Sequence, residues 1–210
     1  MSKKTLIKEI ISFLVLAIIF VAVSFFASQH KDQLAGVVGA GGILGIFGFI
    51  ILTAIFVIFV IPLDIAFLIP LGAHIWGPIP TAGMSIAGWV LGSAVAFGAA
   101  RRFGAPLVEK LIGLDRIRVI EKRMPKRDLF LSVIALRLLV SVDILSYALG
   151  LFSRMGWGSY ILATAIGVTP FGFYFAYTSI LPFWYQIAAI GAAVLLASVI
   201  VVRYGIQREP

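Results

Sequence analysis

A chain of 210 residues that is 61% hydrophobic and only 12% charged lies far from the composition of a water-soluble domain, where about a quarter of residues are charged. It reads as an all-α polytopic membrane protein. Without cysteine, disulfides, thiolate zinc sites and thiol catalysis are excluded, and two histidines, His30 and His74, cannot build a metal site alone. The net charge of +8 gathers at the two ends and in one loop, which fits the positive-inside rule and not nucleic-acid binding.

Leu6–Ala27 is the first span, long enough to cross about 30 Å of hydrocarbon, and Lys3, Lys4 and Lys8 put its start in the cytoplasm. The apolar run is too long for a signal-peptide core and has no clear small-residue cleavage site after it, so it is expected to be retained. Ser28–Leu34 is a polar turn. Gly36–Gly45 reads as a flexible or closely packed entry into the next segment. Ile43–Ile61 is uniformly apolar, but Pro62-Leu63-Asp64 follows, and then Pro70, Gly72, His74, Pro78 and Pro80. So many helix breakers beside an acid argue against a regular span. Residues 43–80 are expected to form a re-entrant hairpin; a Pro-kinked helix pair or three full crossings are the alternatives.

Residues 81–100 form a regular span whose small residues Ala82, Gly83, Ala87, Gly88, Gly92 and Ala96 suit close helix packing. Arg101 and Arg102 end it on the cytoplasmic side. Residues 101–128 are a basic loop in which Leu107, Leu111, Leu114, Ile117, Ile120 and Met124 make a helical stripe. This predicts an amphipathic helix on the inner leaflet, with Arg101, Arg102, Arg118 and Lys122 facing anionic head groups. Simple surface docking and topology setting is the plainer reading.

Leu129–Leu151 carries Arg137, Ser141, Asp143, Ser146, Tyr147 and Gly150 inside an apolar run. A charge in mid-hydrocarbon costs about 2.5–3.5 kcal/mol on insertion scales. Residues six apart point to opposite faces of a straight helix, because helical neighbours lie three and four apart. The stretch is therefore expected to bend back as a second re-entrant hairpin, 129–153, lining a polar cavity; the alternative is one tilted helix with Arg137 snorkelling to the edge. Residues 159–179 are a span with a kink expected near Pro170. Trp184 and Tyr185 are interface anchors, and Ile187–Val202 is a last span stopped inside by Arg203 and Arg208. With both ends and the basic loop cytoplasmic, charge parity requires 129–153 to dip and return. The chain divides into 1–42, a core over 43–182, and 183–210.

Asp64 begins Asp-Ile-Ala-Phe-Leu-Ile-Pro-Leu-Gly and Asp143 begins Asp-Ile-Leu-Ser-Tyr-Ala-Leu-Gly, 79 residues apart, each followed by Trp-Gly and a glycine-containing span. This predicts an inverted repeat of re-entrant hairpin plus transmembrane helix with a midplane site.

Pro62-Leu63-Asp64, the glycine-rich span ending Arg101-Arg102-Phe103-Gly104, and the series Arg137, Asp143, Tyr147, Gly150 resemble the DedA/VTT superfamily, also called SNARE-associated Golgi proteins, over roughly residues 60–180. The resemblance implies two facing re-entrant hairpins and a lipid scramblase or polyprenyl phosphate translocator, often tied to the proton gradient. The chain departs from the bacterial pattern. Leu63 and Asp64 stand where Gly and Glu are usual, Val140 replaces a proline, and Asp143 replaces a second arginine, which removes one phosphate-binding cation.

The sequence thus predicts an integral membrane lipid transporter or scramblase, not an enzyme, in a bacterial plasma membrane with both termini cytoplasmic. Asp64, Arg137 and Asp143 are expected to meet at the hairpin interface; with two acids and one base, one carboxyl is expected to take up a proton. Pro62, Ser141, Ser146, Tyr147 and Gly150 are cavity-lining candidates, though the hydroxyls can equally bond backbone freed at a hairpin tip. Membrane lipids are the partners, with protons as a candidate second one. No cofactor, metal or nucleic acid is expected, and the oligomeric state is not legible. A proton-coupled exchanger of a small solute or ion, or a non-transporting membrane assembly factor, are the alternatives.

Overall fold

The computed structural model describes residues 3–111, 129–137 and 142–188. These are helical throughout, without a strand: α1 (Lys3–Gln29), α2 (Lys31–Phe59), a π-helical turn (Asp64–Leu68), α3 (Ile69–Trp76), α4 (Pro78–Phe103), α5 (Ala105–Leu111), α6 (Leu129–Arg137), α7 (Val142–Phe152) and α8 (Trp157–Ile180). Most of the amphipathic loop, including Arg118 and Lys122, falls outside the described residues. So do Ser141 and nearly all of the last predicted span.

Among the described residues, three stretches are long and apolar enough to cross a membrane: Gly42–Phe59, Pro78–Phe103 and Trp157–Ile180. With their apolar composition and outward-facing side chains such as Leu44, Leu91 and Leu162, they make this an all-α integral membrane protein. α1, at 27 residues, is also long enough at 1.5 Å per residue against about 30 Å of hydrocarbon. The described parts of the second predicted hairpin are the 9 residues of α6 and the 11 residues of α7; residues 112–128 and 138–141, and with them the predicted dip and return, lie outside the described residues. In the first predicted hairpin the leading limb, 42–59, is long enough to cross, and only Asp64–Trp76 is short.

The middle of the bundle is α4, in contact with α2, α7 and α8. Its start and end are written in the sequence. Pro78 opens it, where the missing N–H costs nothing, and Gly104 closes it at φ 69° with its N–H on Ala100 O. Buried small residues let its neighbours close in: a Cβ on Gly92 would meet Ala54 O at 2.6 Å, and one on Gly150 would meet Phe97 O at 2.5 Å. The expectation of a small-residue packing face is met by Ala82, Gly88, Gly92 and Ala96, whereas Gly83 and Ala87 face outward.

The glycine-rich entry, Gly36–Gly45, is helical with non-helical backbone at Gly42 (φ 46°, ψ −127°), and Gly36 and Gly42 look onto open space and not onto a packed neighbour. α8 carries Pro170 inside it, where the kink is expected.

Candidate functional site

The first half of the site is built by the way α2 ends. Ile61 N–H donates to Phe56 O at 2.9 Å and Val60 N–H to Val57 O at 3.2 Å, the paired bonds of a Schellman motif. That motif places its linking residue in the left-handed region, normally a glycine; here it is Val60, at φ 59° and ψ 41°. A β-branched residue there is a true outlier. Pro62 then prevents the helix from resuming, and Pro62 and Leu63 are exposed. The chain re-enters helix as a π turn whose first residue is Asp64. Its side chain is only 4% exposed. The indole N–H of Trp89 on α4 donates to its Oδ2, and the backbone N–H groups of Asp64 and Ile65 also face the carboxylate. π turns occur frequently at functional sites.

The second half is built around Arg137, the last residue of α6, 2% exposed and the largest fully buried side chain. Its Nη1 donates to Val142 O at 2.6 Å and to Ser146 Oγ at 3.2 Å. Its Nη2 donates to Tyr160 OH at 3.0 Å and Thr164 Oγ1 at 2.8 Å. Residues 160 and 164 are one turn apart on α8, so they present two hydroxyls on one face. Arg137 thus bridges the tip of its own hairpin and ties it to α8, while Nε has no hydrogen-bond partner among the described residues. Room for the stem exists because residue 167 is glycine: a Cβ there would lie 2.8 Å from Arg137 Cβ. A guanidinium taken from water to this depth loses several kcal/mol of hydration, and hydrogen bonds from a charged donor return about 1.5–3 kcal/mol each.

The structure sorts the remaining predicted residues. Asp143 is in the first turn of α7, half-buried, near enough to Tyr147 one turn on to act on it electrostatically. Ser146 donates to Val142 O at 2.5 Å while receiving Arg137. Tyr147 OH donates to Ile58 O at 2.6 Å, so it satisfies a carbonyl left over at the end of α2 and ties the two halves together. Both side chains therefore bond backbone, as one of the two readings held. Gly150 is the contact point of α7 with α4. The expected direct meeting of Asp64 with Arg137 is corrected: both are buried, but they do not pair. Asp64 takes an indole from α4 and Arg137 takes neutral oxygens from α7 and α8. Arg102 is exposed, as a surface role requires. Arg101 has a second use, donating to Ser153 O at 2.9 Å and Met155 O at 3.0 Å with its guanidinium over Phe97, which clips the α7–α8 connection to the end of α4.

Trp89, Tyr160 and Thr164 were not singled out from the sequence. A signal exists for the last two, since hydroxyls four apart in an apolar helix make a paired acceptor. Trp89 has a weaker one, a lone bulky N–H donor inside a small-residue span.

Among the described residues no cluster of His, Asp or Glu could hold a metal ion. The arrangement can hold a carboxylate and a guanidinium inside an apolar helical bundle, the carboxylate at the start of the short segment Asp64–Trp76. Compared with known families, the chain matches the model of the VTT domain over residues 17–181, which includes every residue of both half-sites. No curated protein and no solved structure matched.

Proposed function

This chain belongs to the VTT-domain family, and from that premise we propose that it is a transporter or scramblase moving phospholipid, or a polyprenyl-phosphate-like lipid, across the bilayer. The family consists of DedA-type membrane proteins, generally transporters. The observation that carries the finer reading is the burial of Asp64 and Arg137 inside an apolar helical bundle, the acid at the start of the short segment Asp64–Trp76. Intramembrane ionisable groups and broken helices belong to substrate and ion pathways, because lipid itself tolerates neither. Arg137 has the planar fork that matches a phosphate. Asp64 is the group through which a proton would be coupled. The site works by binding and reorientation and not by bond-making chemistry. On this reading the protein sits in a bacterial inner membrane with both termini cytoplasmic, as the basic ends require.

The test is purified protein in vesicles carrying a fluorescent phospholipid or polyprenyl phosphate, assayed for movement between leaflets. The wild type should move lipid faster than empty vesicles, and Asp64→Asn should not. No lipid movement but ion flux driven by a pH step would establish the exchanger, and neither activity would leave the assembly factor. Single cysteines at 118 and 208, on this cysteine-free background, should label only from the cytoplasmic side.

A further inference from the structure

The acid and the cation do not touch, yet both are fastened to the same helix. Trp89 of α4 donates to Asp64. Tyr160 of α8, which receives Arg137, donates its own proton to Ser93 O of α4 at 3.0 Å. Trp89 and Ser93 are four residues apart on α4, neighbours about 6 Å apart along one helix face. The Tyr160 ring is itself pinned to α4, stacked on Phe97 with centroids 4.0 Å apart and planes within 14°. Trp89, Ser93, Tyr160 and Phe97 are all buried. Ser93 Oγ and Arg137 Nε, on the residues at either end of this link, have no hydrogen-bond partner among the described residues.

We propose that Trp89 and Tyr160 are positioning residues that hold Asp64 and Arg137 against one turn of α4, so that displacing either charged side chain is felt at the other. Trp89 acts on the acid and Tyr160 on the cation. The turn between residues 89 and 93 is the shared part, which cannot deform on one side alone because its backbone is hydrogen-bonded within the helix. For the transport reading, on which this inference rests only for its consequence, the coupling makes the state of the acid and the grip of the cation one event. Neither a lipid nor a proton flux is needed to test it.

The chain has four tryptophans, so the full-length protein in detergent, labelled with 15N-tryptophan, should give four indole N–H resonances. Trp89→Phe assigns one by deleting it, and Asp64→Asn should move that resonance because it changes the direct acceptor. The decisive variant is Tyr160→Phe, which keeps the ring and its stack on Phe97 and removes only the hydroxyl. The Trp89 resonance should move by several line widths while that of Trp184, exposed at the far interface, stays. Thr164→Val, which loosens Arg137 without touching α4, should move the Trp89 resonance in the wild-type background and not in the Tyr160→Phe background. A Trp89 resonance unmoved by both Tyr160→Phe and Thr164→Val would overturn the proposal, whatever the vesicle assay gives. Should Tyr160→Phe fail to fold, Thr164→Val alone decides in the same way. In the vesicle assay, Trp89→Phe and Tyr160→Phe should each slow lipid movement at least fivefold; loss of lipid movement in the wild type with the indole shifts intact would remove the transport reading and keep the coupling.

Discussion

Asp64 and Arg137 are buried to the same degree, at 4% and 2% exposure, but they are held in opposite ways. Asp64 needs little. A carboxylate at the start of a helical turn is faced by its own backbone amides, and one indole on α4 supplies the side-chain donor. The segment that carries it is under strain, with a valine in the left-handed region at its entrance and a π turn in place of an α turn. Arg137 needs much. A guanidinium presents five donors, and its two terminal nitrogens make four bonds to neutral oxygens of α7 and α8, with Nε left over. The acid is thus a lightly held group on a strained element, and the cation is a firmly held one. Polar groups inside a membrane protein need not share one role because they share one depth.

Removing each group in turn is the strongest way to break that contrast. Arg137→Ala should destabilise the protein by about 3–5 kcal/mol, since it strands several buried acceptors and leaves a cavity beside Gly167. Asp64→Asn, which keeps an acceptor oxygen for Trp89, should cost less than about 1 kcal/mol. Thermal unfolding in detergent compares the two, and equal losses would show that the acid is as structural as the cation. Next in size is the docking of the second half on α4. Gly150→Ala drives a Cβ into Phe97 O and should cost about 1–3 kcal/mol, whereas Gly83→Ala, facing open space, should be neutral or slightly stabilising. A smaller effect probes the tie between the halves. Tyr147→Phe leaves Ile58 O without its donor and should cost about 1–2 kcal/mol, read most directly as faster hydrogen exchange at the end of α2. The smallest change should go the other way. Val60→Gly removes the left-handed strain and should stabilise by up to about 1 kcal/mol, the relief of roughly 1–2 kcal/mol being partly offset by glycine's greater freedom when unfolded. A loss of stability there would mean that Val60 packing outweighs its backbone.

How much of this was legible follows from the kind of signal each residue leaves. Arg137 and Asp143 six apart in an apolar run could not share one face of a straight helix; Arg137 ends α6 and Asp143 lies in the first turn of α7, with residues 138–141 between them outside the described residues. Pro62 and Asp64 marked the break after α2 in the same way. Pairing was not legible: opposite charges in a dry interior suggest a salt bridge, but the sequence does not say that Asp64 packs on α4 and Arg137 on α8. Arg101 looked like a surface charge because it ends a span, and only its neighbours in space reveal the clip onto Ser153 and Met155.

The sequence by itself determined that this is an all-helical membrane protein, where its spans break, and which few charged residues are carried into the apolar region. These follow from hydrophobicity, run length and the backbone chemistry of proline and glycine, all local properties. The tertiary structure alone decided that Asp64 would be answered by Trp89 and Arg137 by Ser146, Tyr160 and Thr164. Those partners come from helices distant in sequence. A buried polar group is satisfied by whatever donor or acceptor the packing brings within about 3 Å, which no local pattern encodes.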